Sequence, residues 1–428
     1  MQKNSRRGYR ACTRDIRVRG GALLIKVAKF GGTSMSNAKT FGLVAKEVLK
    51  DNDIRIVVVS AGGKTGDCPK FTDALKFAYD KFKRGESVKK CLSEPFARVR
   101  TLVKELRLNF DIDFELMKIE SDLEKPCNAV APDFLLSRGE YLYSRIFARY
   151  CSLPFIDSAE LFKFDENGEF NAEFTRYLIK KAYRQTGRFV CGGFYGSDED
   201  GRIRTFARGG SDFSGAVAAG AISADVYLNF TDVDGVYNFN PAICKQSKVI
   251  ERLSYSEIRR LGEYGASVLQ CDSVLPLEEK GIPIIIKNTF NREAKGTEIC
   301  KIPNGSAFAV AESDGYFYAK IKQNGKFLSD KIFTPEITPV FVAFTADYAE
   351  CVLSGNRNCF FECNYGYFEN SVTLFYATAC LRSRAFFNII SERKLCLFEF
   401  KNSDGYYAAV KTVDKKEIEL ILTDFLKS

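Results

Sequence analysis

The six residues Ile54–Val59, followed at once by Ser60-Ala61-Gly62-Gly63, constrain the fold of this chain more than any other feature. A run that is apolar at nearly every position has no polar face to turn to water. It suits a strand covered on both sides, as in a parallel sheet. A similar run, Leu23–Ala28, is interrupted by Lys26 and leads into Lys29-Phe30-Gly31-Gly32-Thr33-Ser34 and a helical stretch from about Ser36 to Lys50. Helical periodicity returns at about Phe71–Lys83 and Phe134–Tyr150. Short strands are expected at Pro154–Ile156, Arg188–Gly192, Asp225–Phe230 and Ile282–Lys287. Strands alternating with helices predict an α/β domain over about 23–300, a largely parallel sheet with helices on both faces.

After Cys300 the texture changes. Phe317–Ile321, Val340–Thr345, Val372–Tyr376 and Leu395–Phe400 read as strands, with helices near Phe327–Phe333, Arg384–Ile390 and Lys416–Phe425. This pattern predicts a C-terminal α+β region over 306–428, in two strand–helix modules of about 306–365 and 366–428. The turn-rich Pro303-Asn304-Gly305-Ser306 serves as the hinge. The strands carry Phe317, Tyr318, Phe341, Phe344, Phe360, Phe361, Phe375 and Tyr376. Side chains of that size either fill the modules' own core or form an interface between copies.

The chain contains no histidine, which excludes a histidine general base, Ser–His and Cys–His nucleophiles and His-ligated zinc. The chemistry must therefore run on carboxylates, Lys, Arg, hydroxyls and backbone amides, a set that suits phosphoryl transfer. The net charge of +9 is concentrated at the N-terminus, where Lys3, Arg6, Arg7, Arg10, Arg14, Arg17 and Arg19 face only Asp15 within residues 1–20. Without an apolar segment this leader is no secretory signal; residues 1–22 are expected to be a disordered extension, with a transit peptide as the alternative. No helix-turn-helix or aromatic–basic surface supports nucleic-acid binding. No apolar run reaches the ~18–20 residues of a membrane helix. The fourteen cysteines include no C-x-x-C pair and read as reduced and mostly buried, as in a cytoplasmic protein.

Glycines between a buried strand and a helix let backbone N–H groups approach phosphate, and Lys29 adds a point charge beside them. Arg208-Gly209-Gly210-Ser211-Asp212, ahead of the small-residue stretch Phe213–Ala221, places a guanidinium and a carboxylate at one helix start. Arginine suits bidentate capture of a carboxylate. Thr231-Asp232-Val233-Asp234-Gly235-Val236-Tyr237 follows another strand, where nucleotides lie in open α/β sheets. Taken singly, each block also reads as a plain turn or helix cap.

Taken in order, these blocks resemble the aspartate kinases of the amino-acid kinase superfamily. Lys29–Ser34 is similar to that family's opening signature, Ser60-Ala61-Gly62-Gly63-Lys64 to its second-strand loop, and Thr72-Asp73-Ala74-Leu75 to its substrate segment. Ser137-Arg138-Gly139-Glu140 resembles its glutamate-bearing helix and Gly193-Phe194-Tyr195-Gly196 its aromatic loop. Arg208–Asp212, Thr231–Tyr237 and Ile286-Lys287-Asn288-Thr289 complete the series. The resemblance implies the amino-acid-kinase sandwich with paired ACT-like, ferredoxin-like regulatory modules. It also implies transfer of the ATP γ-phosphoryl group to the β-carboxylate of L-aspartate in amino-acid biosynthesis. On this footing Glu140 would meet the substrate's α-ammonium and Arg208 its α-carboxylate, with Ser60, Thr72, Phe194 and Ser211 lining the pocket. Lys29 and Asp212 would be catalytic. Lys29, Gly31, Gly32, Ser34, Thr231, Asp232, Tyr237, Ser267 and Val268 would contact ATP, and Mg2+ would be held through the ATP phosphates rather than by a protein cage. A homodimer through the C-terminal region and a lysine or threonine effector are also implied.

Departures from the family pattern are Asn240-Pro241-Ala242 in place of Asp-Pro-Arg, Ser267-Val268-Leu269-Gln270, and eroded effector motifs. They leave a catalytically weakened amino-acid sensor of the same fold as the alternative.

Overall fold

The computed structural model describes residues 24–207, 209–266, 268–305, 307–322, 337–344, 348–355 and 365–427. The basic extension, the expected helix Phe327–Phe333, Ser306 of the hinge, and the candidate site residues Arg208 and Ser267 lie outside the described residues. The chain forms two compact units. The first comprises the residues up to Asp234 with Asp272–Lys301, the second Gly235–Cys271 with the residues from Ile302 onward.

In the first unit β1 (Lys26–Phe30), α1 (Ala38–Lys50), β2 (Ile54–Val59), α2 (Phe71–Lys83), α3 (Asp133–Cys151), β3 (Phe189–Gly192), α4 (Gly210–Ile222), β4 (Val226–Thr231), β5 (Ile284–Asn288) and β6 (Thr297–Cys300) follow one another. The strands lie in the order β3-β2-β1-β4-β5-β6. All these pairs are parallel except β5 with β6. Ile54, Ile56, Val57, Val58 and Val59 of β2 are fully buried, as a strand covered on both faces requires. Ala28 and Phe30 of β1 enter a core with Phe41 and Val44 of α1 and Leu142 and Phe147 of α3. Lys29, between them, reaches Asp212 on α4 instead. Successive side chains of a strand point to opposite faces, so helices cover both sides of this sheet.

The strand at the N-terminus begins at Lys26 rather than Leu23, level with its partners Ile54 and Val226. Pro154–Ile156 makes one bridge, Phe155 to Val190, rather than a strand; Pro154 has no N–H to extend a ladder. Two further helices, Val88–Glu105 and Ile112–Leu123, precede α3. Pro95 inside the first and the exposed Phe114 and Met117 on the second blur their periodicity in sequence.

In the second unit α5 (Tyr255–Glu263) is followed by β7 (Val310–Lys322), β8 (Ile337–Phe344), β9 (Tyr348–Gly355), β10 (Tyr365–Thr378), α6 (Leu381–Glu392), β11 (Cys396–Lys401), β12 (Gly405–Lys411) and α7 (Lys415–Lys427). The sheet order is β8-β9-β7-β10-β12-β11, antiparallel throughout. Each half repeats one arrangement, and the long first strands β7 and β10 pair at the centre, so the two expected modules share a single sheet. Phe317, Tyr318, Phe375 and Tyr376 are buried inside the unit, which makes them core rather than contact surface.

Gly235–Cys271 packs within the same compact unit as the residues from Ile302 onward. Phe239 and Cys244 are buried in the same core as Phe308, Phe375 and Phe386. Tyr264 stacks on Tyr376 with ring centroids 5.3 Å apart, and Arg260 binds Asp404 at 3.1 Å. Burial of these apolar side chains, rather than chain order, decides the assignment. Among the described residues no helix is long and apolar enough to cross a membrane.

Candidate active site

The C-terminal ends of β1 and β4 lie side by side, with Lys29 level with Asn229. Lys29, 8% exposed, extends to the first turn of α4, where its Nζ lies 2.6 Å from Asp212 Oδ1. Asn229 Nδ2 donates to the same oxygen at 3.0 Å, and Tyr227 Oη donates to the Asp212 carbonyl at 3.3 Å. A carboxylate in the first turn of a helix is favoured by the helix dipole. Asp212 is thus held from three directions, and it in turn fixes Lys29. Asn229 was not singled out from the sequence, although a lone buried amide within the run Val226–Thr231 marks it as a residue with a partner.

Beyond Lys29 the chain turns through Gly31 and a short 3-10 segment, Gly32–Met35, before α1. This turn packs against the loop after β2, with Gly63 N–H donating to Gly32 O at 2.7 Å. A Cβ on Gly63 would lie 2.7 Å from Thr33 N, so the two loops meet this closely only with glycine there. Thr33 Oγ1 donates to Asp232 Oδ2 at 3.1 Å, and Thr231 Oγ1 to Asp232 Oδ1 at 3.2 Å. Ser34 is fully buried, its hydroxyl 2.7 Å from that of Thr289.

Glu140 comes to the same place from α3. A Cβ on Gly139 would sit 2.8 Å from Ala61 Cβ; the bare glycine lets the helix approach the loop after β2. Glu140 Oε1 then accepts from Ala61 N–H at 3.1 Å. Its other oxygen, Oε2, is buried and has no hydrogen-bond partner among the described residues. Burial pushes the carboxyl up to about 7, against the lowering effect of the Ala61 hydrogen bond. Glu140 lines a 560 Å³ cavity that also reaches Gly32, Ser60 and Thr72. An unpartnered carboxylate oxygen in a cleft is a seat for a cationic group.

Phe194 and Ser211 are brought together at the end of β3 and the start of α4, where Gly193 packs on Ser211; neither is among the residues that line the Glu140 cavity. Phe194 has φ 75°, a left-handed conformation unusual for a bulky residue, and its N–H donates to Ser214 Oγ at 3.1 Å. Lys29, Gly31, Gly32, Ser34, Ser60, Thr72, Glu140, Thr231, Asp232, Phe194, Ser211 and Asp212 all lie in the first unit; Tyr237 and Val268 lie in the second.

Residues 25–288 match the amino acid kinase family. The chain is 31% identical to aspartokinase 3 of Bacillus subtilis over 309 residues, which is 68% of each chain. It is 31% identical to a chloroplastic bifunctional aspartokinase/homoserine dehydrogenase of Zea mays over 67% of this chain, and spans 34% of that longer protein. Among solved structures, the aspartate kinase of Clostridium acetobutylicum, described as an allosteric enzyme, superposes with a TM-score of 0.84 at 27% identity, covering 94% of this chain and all of that one. The family match spans β1 to β5, both glycine loops and Glu140, and the structural likeness covers 94% of the chain. The chain belongs to the amino acid kinase family, among its aspartokinases.

Proposed function

We propose that the chain is an aspartate kinase, moving the γ-phosphoryl group of ATP to the β-carboxylate of L-aspartate to give 4-phospho-L-aspartate and ADP. The observation that carries this reading is Glu140, which lines a cavity walled by a glycine turn and keeps one buried carboxylate oxygen without a hydrogen-bond partner. It joins a seat for an α-ammonium to a turn suited to phosphate. On this reading Arg208 takes the α-carboxylate, and Ser60, Thr72, Phe194 and Ser211 shape the pocket. Lys29 neutralises charge on the transferring group while Asp212, held by Asn229, keeps Lys29 in place. The attacking carboxylate is ionised at neutral pH, so the reaction needs no general base.

ATP supplies the phosphoryl group, and Thr231 and Asp232 at the end of β4 are its contacts from the first unit on this reading. Among the described residues no group of three carboxylate or thiol side chains gathers to hold a metal. The exposed Asp232 beside the glycine turn suits a hydrated Mg2+ carried by the phosphates. The intact Lys29–Asp212 pair favours turnover over a sensor that has lost catalysis. A coupled ADP-release assay with aspartate, glutamate, acetylglutamate and UMP in parallel is expected to respond to aspartate. Turnover with another acceptor and none with aspartate would overturn the reading.

We further infer a cytoplasmic homodimer formed through the C-terminal region, where the exposed Leu381 on α6, Leu420 on α7 and Val413 just before α7 offer apolar surface. Lysine or threonine inhibits weakly or not at all, because the effector motifs are eroded, and dimerisation is retained. Light scattering and activity titrated against both amino acids test this. A monomer, or strong inhibition at micromolar effector, contradicts it.

A further inference from the structure

The cavity that holds Glu140 has cations at its mouth. Lys64 and Lys70 line it from the segment between β2 and α2, both exposed and neither in an ion pair among the described residues. That segment is pinned at three points. Gly63 N–H donates to Gly32 O at 2.7 Å, and Phe71 N–H to Gly62 O at 2.8 Å. Between them Thr65 and Cys68 exchange both backbone hydrogen bonds, at 3.2 and 3.0 Å. The backbone is therefore set while the two lysine side chains stay free to reach inward, one on each side of the turn.

Lys29, paired with Asp212 at 2.6 Å, supplies one cation to the transferring group, while Asp232 adds a negative charge to the cavity. A reaction that brings an acidic side chain up to a polyphosphate puts two anions into contact, and their repulsion grows as water is excluded. The pinned segment carries the cations that can offset it.

We propose that Lys64 and Lys70 are specificity-determining residues of this site, binding the side-chain carboxylate of the acceptor and the phosphoryl group that arrives on it. The inference rests on the kinase reading of the cavity and names how the acidic side chain, rather than the amino-acid head, is selected. Both ammonium groups act as fixed charges. The acceptor oxygen forms the new P–O bond, the bond from phosphorus to the ADP oxygen breaks, and no proton moves.

The test compares wild type with K64Q, K70Q and K64Q/K70Q by ADP release, and with K64R/K70R as the charge-conserving control. Each single glutamine variant is expected to lose about tenfold in kcat/KM for aspartate and the pair about 100-fold. The arginine pair should recover most of that, with thermal midpoints unchanged because both side chains are exposed. Succinate, which lacks the α-ammonium, should inhibit wild type and E140Q alike and inhibit K64Q/K70Q at least tenfold more weakly. Wild type that releases no ADP with aspartate sinks the kinase reading and this inference with it. Wild-type turnover that K64Q/K70Q retains within threefold sinks the lysines alone.

Discussion

Lys29→Ala is expected to lower kcat for aspartate phosphorylation by at least ~100-fold, about 2.7 kcal/mol of transition-state stabilisation, with a smaller effect on the aspartate KM. The expectation follows from placement. Lys29 is the penultimate residue of the buried strand β1, just before the glycine turn, and is held 2.6 Å from Asp212. A cation fixed in advance costs no reorganisation when charge develops on the phosphoryl group. Its side chain is nearly buried, so the variant leaves Asp212 with Asn229 as a remaining partner rather than bare. Steady-state kinetics with a thermal melt separate the catalytic loss from misfolding. An unchanged kcat in a folded variant would remove Lys29 from the mechanism.

Glu140 governs binding instead, and its effect should depend on pH. Glu140→Ala is expected to weaken aspartate binding by at least ~30-fold, about 2 kcal/mol, as truncating one partner of a buried charge pair does. In the ligand-free protein its carboxyl stands near 7, raised by burial from 4.5. Between those two values the folded chain keeps a proton that the unfolded chain has released. The contribution of this group to stability is therefore present at low pH, is lost as pH rises through the folded value, and stays lost above it. Glu140→Gln, which resembles the protonated acid, should thus melt higher than wild type at pH 8, by at most ~3 kcal/mol, and alike near pH 4.5. Binding an ammonium reverses the balance by holding Glu140 ionised. Aspartate binding to wild type near pH 6.5 should then release a proton, and affinity should fall as pH drops below 7. Calorimetry in buffers of different ionisation enthalpy reads that proton. Binding without proton release, together with normal affinity in Glu140→Gln, would contradict the assignment.

Much of the catalytic region was legible from local pattern. Ile54–Val59 is the strand expected of it, and α2 spans Phe71–Lys83 as its periodicity predicts. Periodicity reports whether a segment buries one face or two, and that depends on neighbours in the chain. The Gly-Gly turn and the Ser-Arg-Gly-Glu helix could be named as candidates for the same reason: glycine at a close approach and a charge inside an apolar helix are local anomalies. Their partners could not be named. Ala61 N–H meets Glu140 from 79 residues away, and Asn229 reaches Asp212 across a helix and a strand. Arg208 and Ser267, expected in the site from the resemblance, remain expectations.

By itself the sequence determined the α/β class, the order of the strands' chemistry along the chain, and the exclusion of histidine-based catalysis. Only the tertiary structure decided that Glu140 is left with one buried oxygen unpaired, that Asn229 orients Asp212, and that Lys64 and Lys70 share a cavity with the glycine turn. It also decided that Gly235–Cys271 joins the C-terminal unit and that two strand–helix modules merge into one sheet through β7 and β10. The physical reason is common to all of these. A residue's preference for burial is a property of its own side chain, whereas its partner is set by which distant surfaces close on each other, and that depends on the packing of the whole unit.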